Sequence, residues 1–352
     1  MAGPLEVFIH AGMHKTGTTS VQAALAAHRG ALLDSGIWYP PGGPKQIAPL
    51  INPKRADWRE DHTRSVLGMA RQADATRVLL SLESVSTFTG QQFRRLTDCF
   101  SDCDLTYVFV FRHWSSYLPS RWKQYVGRRD SQTFAGYVNA ALGSDHIDNR
   151  FDLVLDRAAG SGRCSVKAIS HDWAVRDEGG VLPAVLRAVE VDGVLQSSLL
   201  SGAGWLHRSA GGEDFEVARL LNGLLAHRMG LPQDDNFRSV AEGRPCDVFF
   251  DASASDMPEA LASRIVSLGR TTALAHAIPA EWNHALDGLE GHRSLFPDLG
   301  ERPVFPREPR QATSCWALEW QDLREWSELQ EVIDEMAPRI AERLGRRRTL
   351  VS

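Results

Sequence analysis

Between Val7 and Leu25 the chain reads VFIHAGMHKTGTTSVQAAL: an apolar run, a glycine-bearing loop and an alanine-rich stretch in direct succession. This order constrains the fold more than any other feature. A strand that turns straight into a helix has no hairpin partner, so its neighbours must arrive from later in the sequence, by crossover and in parallel. LEVFIH (Leu5–His10) reads as such a strand, buried on both faces. The spacing predicts further strands at Ile37–Pro40, Arg77–Glu83, Leu105–Arg112 and Arg163–Ser170. Between them it predicts one helix over Thr19–Gly36, stopped by Gly36, another over Gly90–Asp102, and helical segments from Phe134 to Ala159. The proline- and glycine-rich stretch Pro41–Pro53 reads as a loop. Strands alternating with helices give an α/β fold with a doubly wound parallel sheet, whose ligands sit at the carboxyl ends of its strands. His10 to Thr19, Glu83 and Arg112 all fall there.

Beyond about Asp192 the strand signal fades. EDFEVARLLNGLLAHRMG reads as an amphipathic helix, MPEALASRIVSLGRTTALAHA as another, and the last segment as a helix interrupted by Pro338. The expected organisation is therefore an α/β core over 1–191 and a helical region over 192–352 packed on it. The basic run Arg346–Arg348 reads as a solvated helix end, where cations suit the dipole. Composition narrows the class. With 352 residues, 43% hydrophobic, 24% charged and a net charge of −5, the chain is globular and carries no overall field favouring nucleic acid. No apolar run reaches membrane-spanning length and no leader precedes the first strand, so a cytoplasmic compartment and no membrane partner are expected. The five cysteines are odd in number, and only Cys99 and Cys103 lie close together, which points to free thiols.

The loop itself, GMHKTGTT, keeps the two glycines of a phosphate-binding loop. Thr18, however, stands where an ATPase has its lysine, and Lys15 lies three positions earlier. The glycines still allow a tight turn with inward N–H groups, and the helix beginning near Thr18 adds its positive end. Thr16, Thr18, Thr19 and Ser20 add hydroxyls. Such a loop cradles one phosphate, while Lys15 at its tip reaches the atom beyond. The run GMHKTGTTSVQ resembles the 5′-phosphosulfate loop of sulfotransferases that use 3′-phosphoadenosine 5′-phosphosulfate (PAPS). The bacterial small-molecule and carbohydrate type is nearest, with His10, Gly12, Lys15, Thr16, Gly17, Thr18, Thr19 and Gln22 on the pattern. The resemblance implies a P-loop-like three-layer fold and PAPS as co-substrate, with adenosine 3′,5′-bisphosphate as product. It also places Lys15 by the oxygen bridging phosphorus and sulfur, where charge grows as the bond breaks.

A PAPS enzyme must also hold the 3′-phosphate. The family uses an arginine at a strand end and a serine eight residues later; Arg112 and Ser120 match that spacing, with Ser116 as the competing hydroxyl. Ser120 follows Pro119, which suits a helix's first turn and would place the serine near the helix N-terminus. Transfer to an alcohol needs a base. Glu83, just past a buried strand, is the first candidate, as in the carbohydrate type. Its alternative role is at a helix start beside Ser84 or Ser86. His62 is the second candidate, as the aryl type uses a histidine. His14 flanks the loop and His10 reads as a structural hydrogen bonder. No histidine spacing suggests a metal, and none is expected. The acceptor is expected to be a small-molecule hydroxyl: carbohydrate, nucleoside or natural product. Trp173, Trp205, Trp282, Trp316 and Trp320 are candidate walls, though core packing is the commoner role of each. The rival reading, a P-loop kinase or NTPase, needs a lysine beside Thr18 and an acidic magnesium ligand. A non-catalytic nucleotide sensor is a third.

Overall fold

A computed structural model describes residues 3–42, 44–127, 131–143, 150–201, 212–230, 257–276, 288–306 and 313–349. The chain forms two compact units, each drawn from separate stretches. The first comprises Met1–His113, Asp145–His207 and Ala280–Pro309; the second comprises Trp114–Ser144, Arg208–Pro279 and Arg310–Ser352.

The first unit is built on a five-stranded parallel sheet: β1 (Glu6–His10), β2 (Ile37–Trp38), β3 (Arg77–Ser81), β4 (Asp104–Phe111) and β5 (Ser165–Ser170), in the order β2-β3-β1-β4-β5. β1 lies in the middle. The register sets His10 opposite Ser81 and Phe111 opposite Ser170, so four strand ends share one edge. Alternation along β4 sends Tyr107, Phe109 and Phe111 to one face. There Phe93 meets Tyr107 edge-on at 5.3 Å and Phe151 meets Phe111 at 5.2 Å. Helices flank the sheet in two sets. Thr18–Ala27 packs with Arg29–Asp34, Val181–Ala188 and Gly193–Ser201, whereas Glu60–Gln72 and Phe151–Ala159 pack with Gly90–Asp98. This is the expected α/β class with helices on both faces.

Two local expectations are corrected. The helix predicted over Thr19–Gly36 breaks at His28 into Thr18–Ala27 and Arg29–Asp34, and Gly36 stops the second piece with a φ of 76°. Pro41–Pro53 is not all loop, because Pro44–Ile51 is helical. Pro44 opens that helix, where its missing N–H is no loss, and Ile47 and Ile51 are fully buried. The carbonyl of Leu50 is taken up by the Trp58 indole N–H at 3.2 Å and by the Thr63 hydroxyl. Tertiary burial and side-chain donors outweigh the prolines. The helix at Gly90 ends at Asp98 and starts with a reciprocal cap between Thr89 and Gln92.

The second unit holds the helices Trp114–Val126, Phe134–Gly143, Gly212–Arg228, Glu259–Thr271 and Ser327–Thr349. It also contains a two-stranded antiparallel sheet, β6 (Ala273–His276) with β7 (Thr313–Trp316); β6 corrects the helix expected through this stretch, which ends at Thr271. Gly212–Arg228 is not amphipathic: residues 216–226 are buried without a break. Leu220, Leu221, Leu224 and Leu225 pack with Ile265, Trp316, Trp320, Ile333 and Met336. The polar residues of this helix are paired inside. Arg219 donates to Glu216 at 2.7 Å and to the carbonyls of Ser131 and Leu318, and the other Glu216 oxygen accepts from the Trp316 N–H at 2.7 Å.

Candidate functional site

The loop is anchored before it turns. Past β1, Ala11 N–H donates to the Val108 carbonyl at 2.8 Å and Met13 N–H to that of Val110 at 3.2 Å, so β4 carries the chain to the loop's base. The buried Thr16 hydroxyl then closes the turn on the Met13 carbonyl at 2.6 Å. Two residues adopt left-handed backbone, Lys15 at φ 62° and Gly17 at φ 85°. For Gly17 this conformation is free; for Lys15 it costs about 1 kcal/mol, a strain that collects where side-chain placement matters. Gly17 precedes the helix Thr18–Ala27, and no side chain caps the first-turn N–H groups. Gly12 is demanded by space: a Cβ there would stand 2.6 Å from Thr18 Oγ1 and 3.1 Å from both His10 Nε2 and Thr16 Oγ1. Thr18 Oγ1 and His10 Nε2 are themselves buried without a hydrogen-bond partner. Uncapped N–H groups and a buried, unpartnered threonine hydroxyl beside this glycine fit an anion. Thr19 is exposed.

The end of β3 is locked to this loop. His10 Nδ1 meets Ser81 Oγ at 2.9 Å, Leu82 N–H donates to the His10 carbonyl at 3.0 Å, and Gln22 donates to the Ser81 carbonyl at 3.1 Å. Burial pushes the His10 imidazole down to about 4, with the Glu83 charge opposing, so the ring is neutral at pH 7. Glu83 opens a 3₁₀ turn, Glu83–Thr87, whose Ser86 hydroxyl donates to the Glu83 carbonyl at 2.8 Å. The Glu83 carboxylate and the His14 ring, 69 positions apart in sequence, come together here. Oε2 stands 2.8 Å from Nδ1, with side chains 35% and 24% exposed. The distance is that of an ion pair, although the ring N–H is out of line for a hydrogen bond.

Arg112 follows β4 and donates to the Lys15 carbonyl at 3.0 Å, so the guanidinium braces the loop tip. Burial pulls its pKa down and Asp172 opposes. Asp172 accepts from the His113 N–H at 2.8 Å, fixing the chain just after the arginine. His171, which the sequence reading passed over, begins the helix His171–Glu178, one residue past Ser170 as Arg112 is one past Phe111. Its Nδ1 is covered and unpartnered, and burial, with the Arg112 charge second, pushes it down to about 3. Only the β4–β5 register reveals this neighbour; the SHD that follows a predicted strand was the available signal.

Ser120 belongs to the second unit, as the seventh residue of Trp114–Val126. The helix starts at Trp114, so Pro119 is inside it and not in its first turn; Ser116 occupies that turn. His62 is exposed at the start of Glu60–Gln72. Trp316 and Trp320 are core residues of the second unit, whereas Trp205 and Trp282 lie outside the described residues. Trp173, flanked by Arg176 at 5.2 Å and Arg302 at 4.6 Å, borders a cavity of about 190 Å³ with Ser170, Arg187 and Asp298. Cys99, Cys103, Cys164 and Cys315 are free thiols; Cys246 lies outside the described residues. Among the described residues no cluster is placed to hold a metal, and no helix is long and apolar enough to cross a membrane.

No family profile matches the chain, and no curated protein does either. Among solved structures it is similar to a sulfotransferase from Alicyclobacillus acidocaldarius, at 15% identity and a TM-score of 0.36, over 66% of this chain and 98% of that one. It is also similar to the sulfotransferase domain from the curacin biosynthetic pathway, at 14% identity and a TM-score of 0.38, over 82% of this chain and 98% of the other. At this distance the likeness adds nothing to the reading of the site, which rests on the chain's own residues.

Proposed function

We propose that the chain transfers the sulfuryl group of PAPS to the hydroxyl of a small molecule. The observation that carries this reading is the loop. It has an anion cradle at Gly12, Thr18 and the uncapped first turn, but its lysine sits at the strained tip and not at the helix start. A nucleoside triphosphate needs the lysine on its β- and γ-phosphates; a phosphosulfate needs it one atom beyond a single cradled phosphate. In this reading the loop residues Thr16, Gly17, Thr18 and Thr19 surround the 5′-phosphate. Lys15 neutralises the charge that develops on the bridging oxygen. Arg112 takes the 3′-phosphate, its planar fork matching phosphate oxygens. The Glu83–His14 pair stands beside the lysine-bearing tip and removes the acceptor's proton.

Calorimetry with adenosine 3′,5′-bisphosphate, AMP and ATP with and without magnesium tests the donor. The bisphosphate is expected to bind about tenfold to a hundredfold more tightly than AMP, the worth of one or two charge-assisted contacts. Equal affinities for the two would refute the 3′-phosphate assignment, and a preference for magnesium–ATP would favour a kinase. Release of adenosine 3′,5′-bisphosphate from PAPS, screened against carbohydrate, nucleoside and phenolic hydroxyl compounds, then tests the reaction.

A further inference from the structure

Resting on that reading, we propose that His14 takes the proton from the acceptor hydroxyl and that Glu83 is the residue that positions it. The sequence favoured Glu83 as the base; the pairing reassigns the roles. Both groups sit on braced backbone. His14 lies between Met13, tied to β4, and Thr16, whose hydroxyl closes the turn; Glu83 follows Leu82, tied to the His10 carbonyl. Oε2 of Glu83 stands 2.8 Å from Nδ1 of His14, and that nitrogen is covered by the surrounding structure. With a carboxylate oxygen this close to Nδ1, a hydrogen on that nitrogen is favoured electrostatically over two facing lone pairs even without a linear hydrogen bond, which leaves the lone pair on Nε2. The His14 side chain is 24% exposed, and its other ring nitrogen has no partner among the described residues. His14 is chain-adjacent to Lys15, so one turn presents both the base and the group that neutralises the leaving oxygen.

The step balances as follows. The acceptor oxygen's electron pair forms the new O–S bond as its proton passes to Nε2. The bond from sulfur to the bridging oxygen breaks, and its electron pair stays on the 5′-phosphate of adenosine 3′,5′-bisphosphate beside Lys15. The Glu83 carboxylate stabilises the imidazolium so formed until the proton passes to water.

Nitrogen-15 NMR of protein labelled at histidine, with the His14 signals assigned by their loss in His14→Gln, reads the tautomer without any acceptor. Hydrogen on Nδ1 with an unprotonated Nε2 is expected, redistributing toward Nε2–H in Glu83→Ala. A wild-type Nε2–H tautomer, or one indifferent to Glu83→Ala, overturns the proposal. In the PAPS turnover assay, His14→Gln should lower kcat by about 10²–10⁴ with little change in KM for PAPS. The double variant with Glu83→Ala should be no worse than His14→Gln alone, since the pair acts as a unit. His14→Gln turning over near the wild-type rate while Glu83→Ala fails would return the base to Glu83. Failure of the wild-type protein to bind adenosine 3′,5′-bisphosphate would defeat the donor reading instead, and the tautomer would still decide the pair.

Discussion

The most quantitative expectation concerns His10, the buried ring under the loop. It is fully buried and held down to about 4, whereas the same ring in the unfolded chain titrates near 6.5. Between those values the unfolded state binds a proton that the folded state refuses. Stability therefore falls as pH drops through 6.5 and levels off below about 4, at about 1.4 kcal/mol per pH unit in between. The complete loss is about 3 kcal/mol, of which about 2 kcal/mol has been reached at pH 5. His10→Gln removes the proton site while keeping an amide near Ser81. Urea unfolding at pH 8 and pH 5, read by hydrogen exchange of the peptide containing β1, reports on the first unit alone. The wild type should lose about 2 kcal/mol more than the variant over that interval. His171, held down to about 3, titrates alike in both and cancels. Equal losses in the two proteins would show that His10 is not held neutral by burial.

Other expectations follow from the same geometry. Lys15→Ala should reduce PAPS turnover by about 10²–10³ while leaving adenosine 3′,5′-bisphosphate affinity within a few-fold, because the charge is proposed to act on the breaking bond. Lys15→Gly should match that loss of turnover yet raise stability by about 1 kcal/mol in urea, since φ 62° strains any residue with a Cβ. Gly12→Ala should abolish nucleotide binding in calorimetry, because its methyl would lie 2.6 Å from Thr18 Oγ1 and displace the loop. Gly269→Ala, whose Cβ would fall 2.3 Å from the Trp316 ring, should destabilise the second unit by about 1–3 kcal/mol by thermal unfolding.

What could be read in advance was what local pattern determines. β1, β3, β4 and β5 appear where the strand-like runs announced them, and the loop's glycines fall where backbone conformation or space demands them. Pro44–Ile51 was hidden because its prolines mark a loop locally, and only the burial of Ile47 and Ile51 outweighs them. Gly212–Arg228 looked amphipathic because Glu216, Arg219 and Asn222 are polar; their partners lie on Ser131, Val126, Trp316 and Leu318, which no period along the helix can show. The meeting of His14 with Glu83 is of the same kind. Each residue was legible singly as a strand-end group, while their contact depends on the register of β1 with β3.

The hydrogen bond from Arg112 to the Lys15 carbonyl makes the two ends of the site thermodynamically linked. Any anion that draws on the guanidinium alters the brace under the loop tip, and so alters the free energy of an anion held by the loop. Linkage is reciprocal: whatever factor occupancy at Arg112 applies to loop affinity, occupancy of the loop applies back at Arg112. A nucleotide carrying two phosphates would then bind with an affinity that the phosphates, measured as separate fragments, do not sum to.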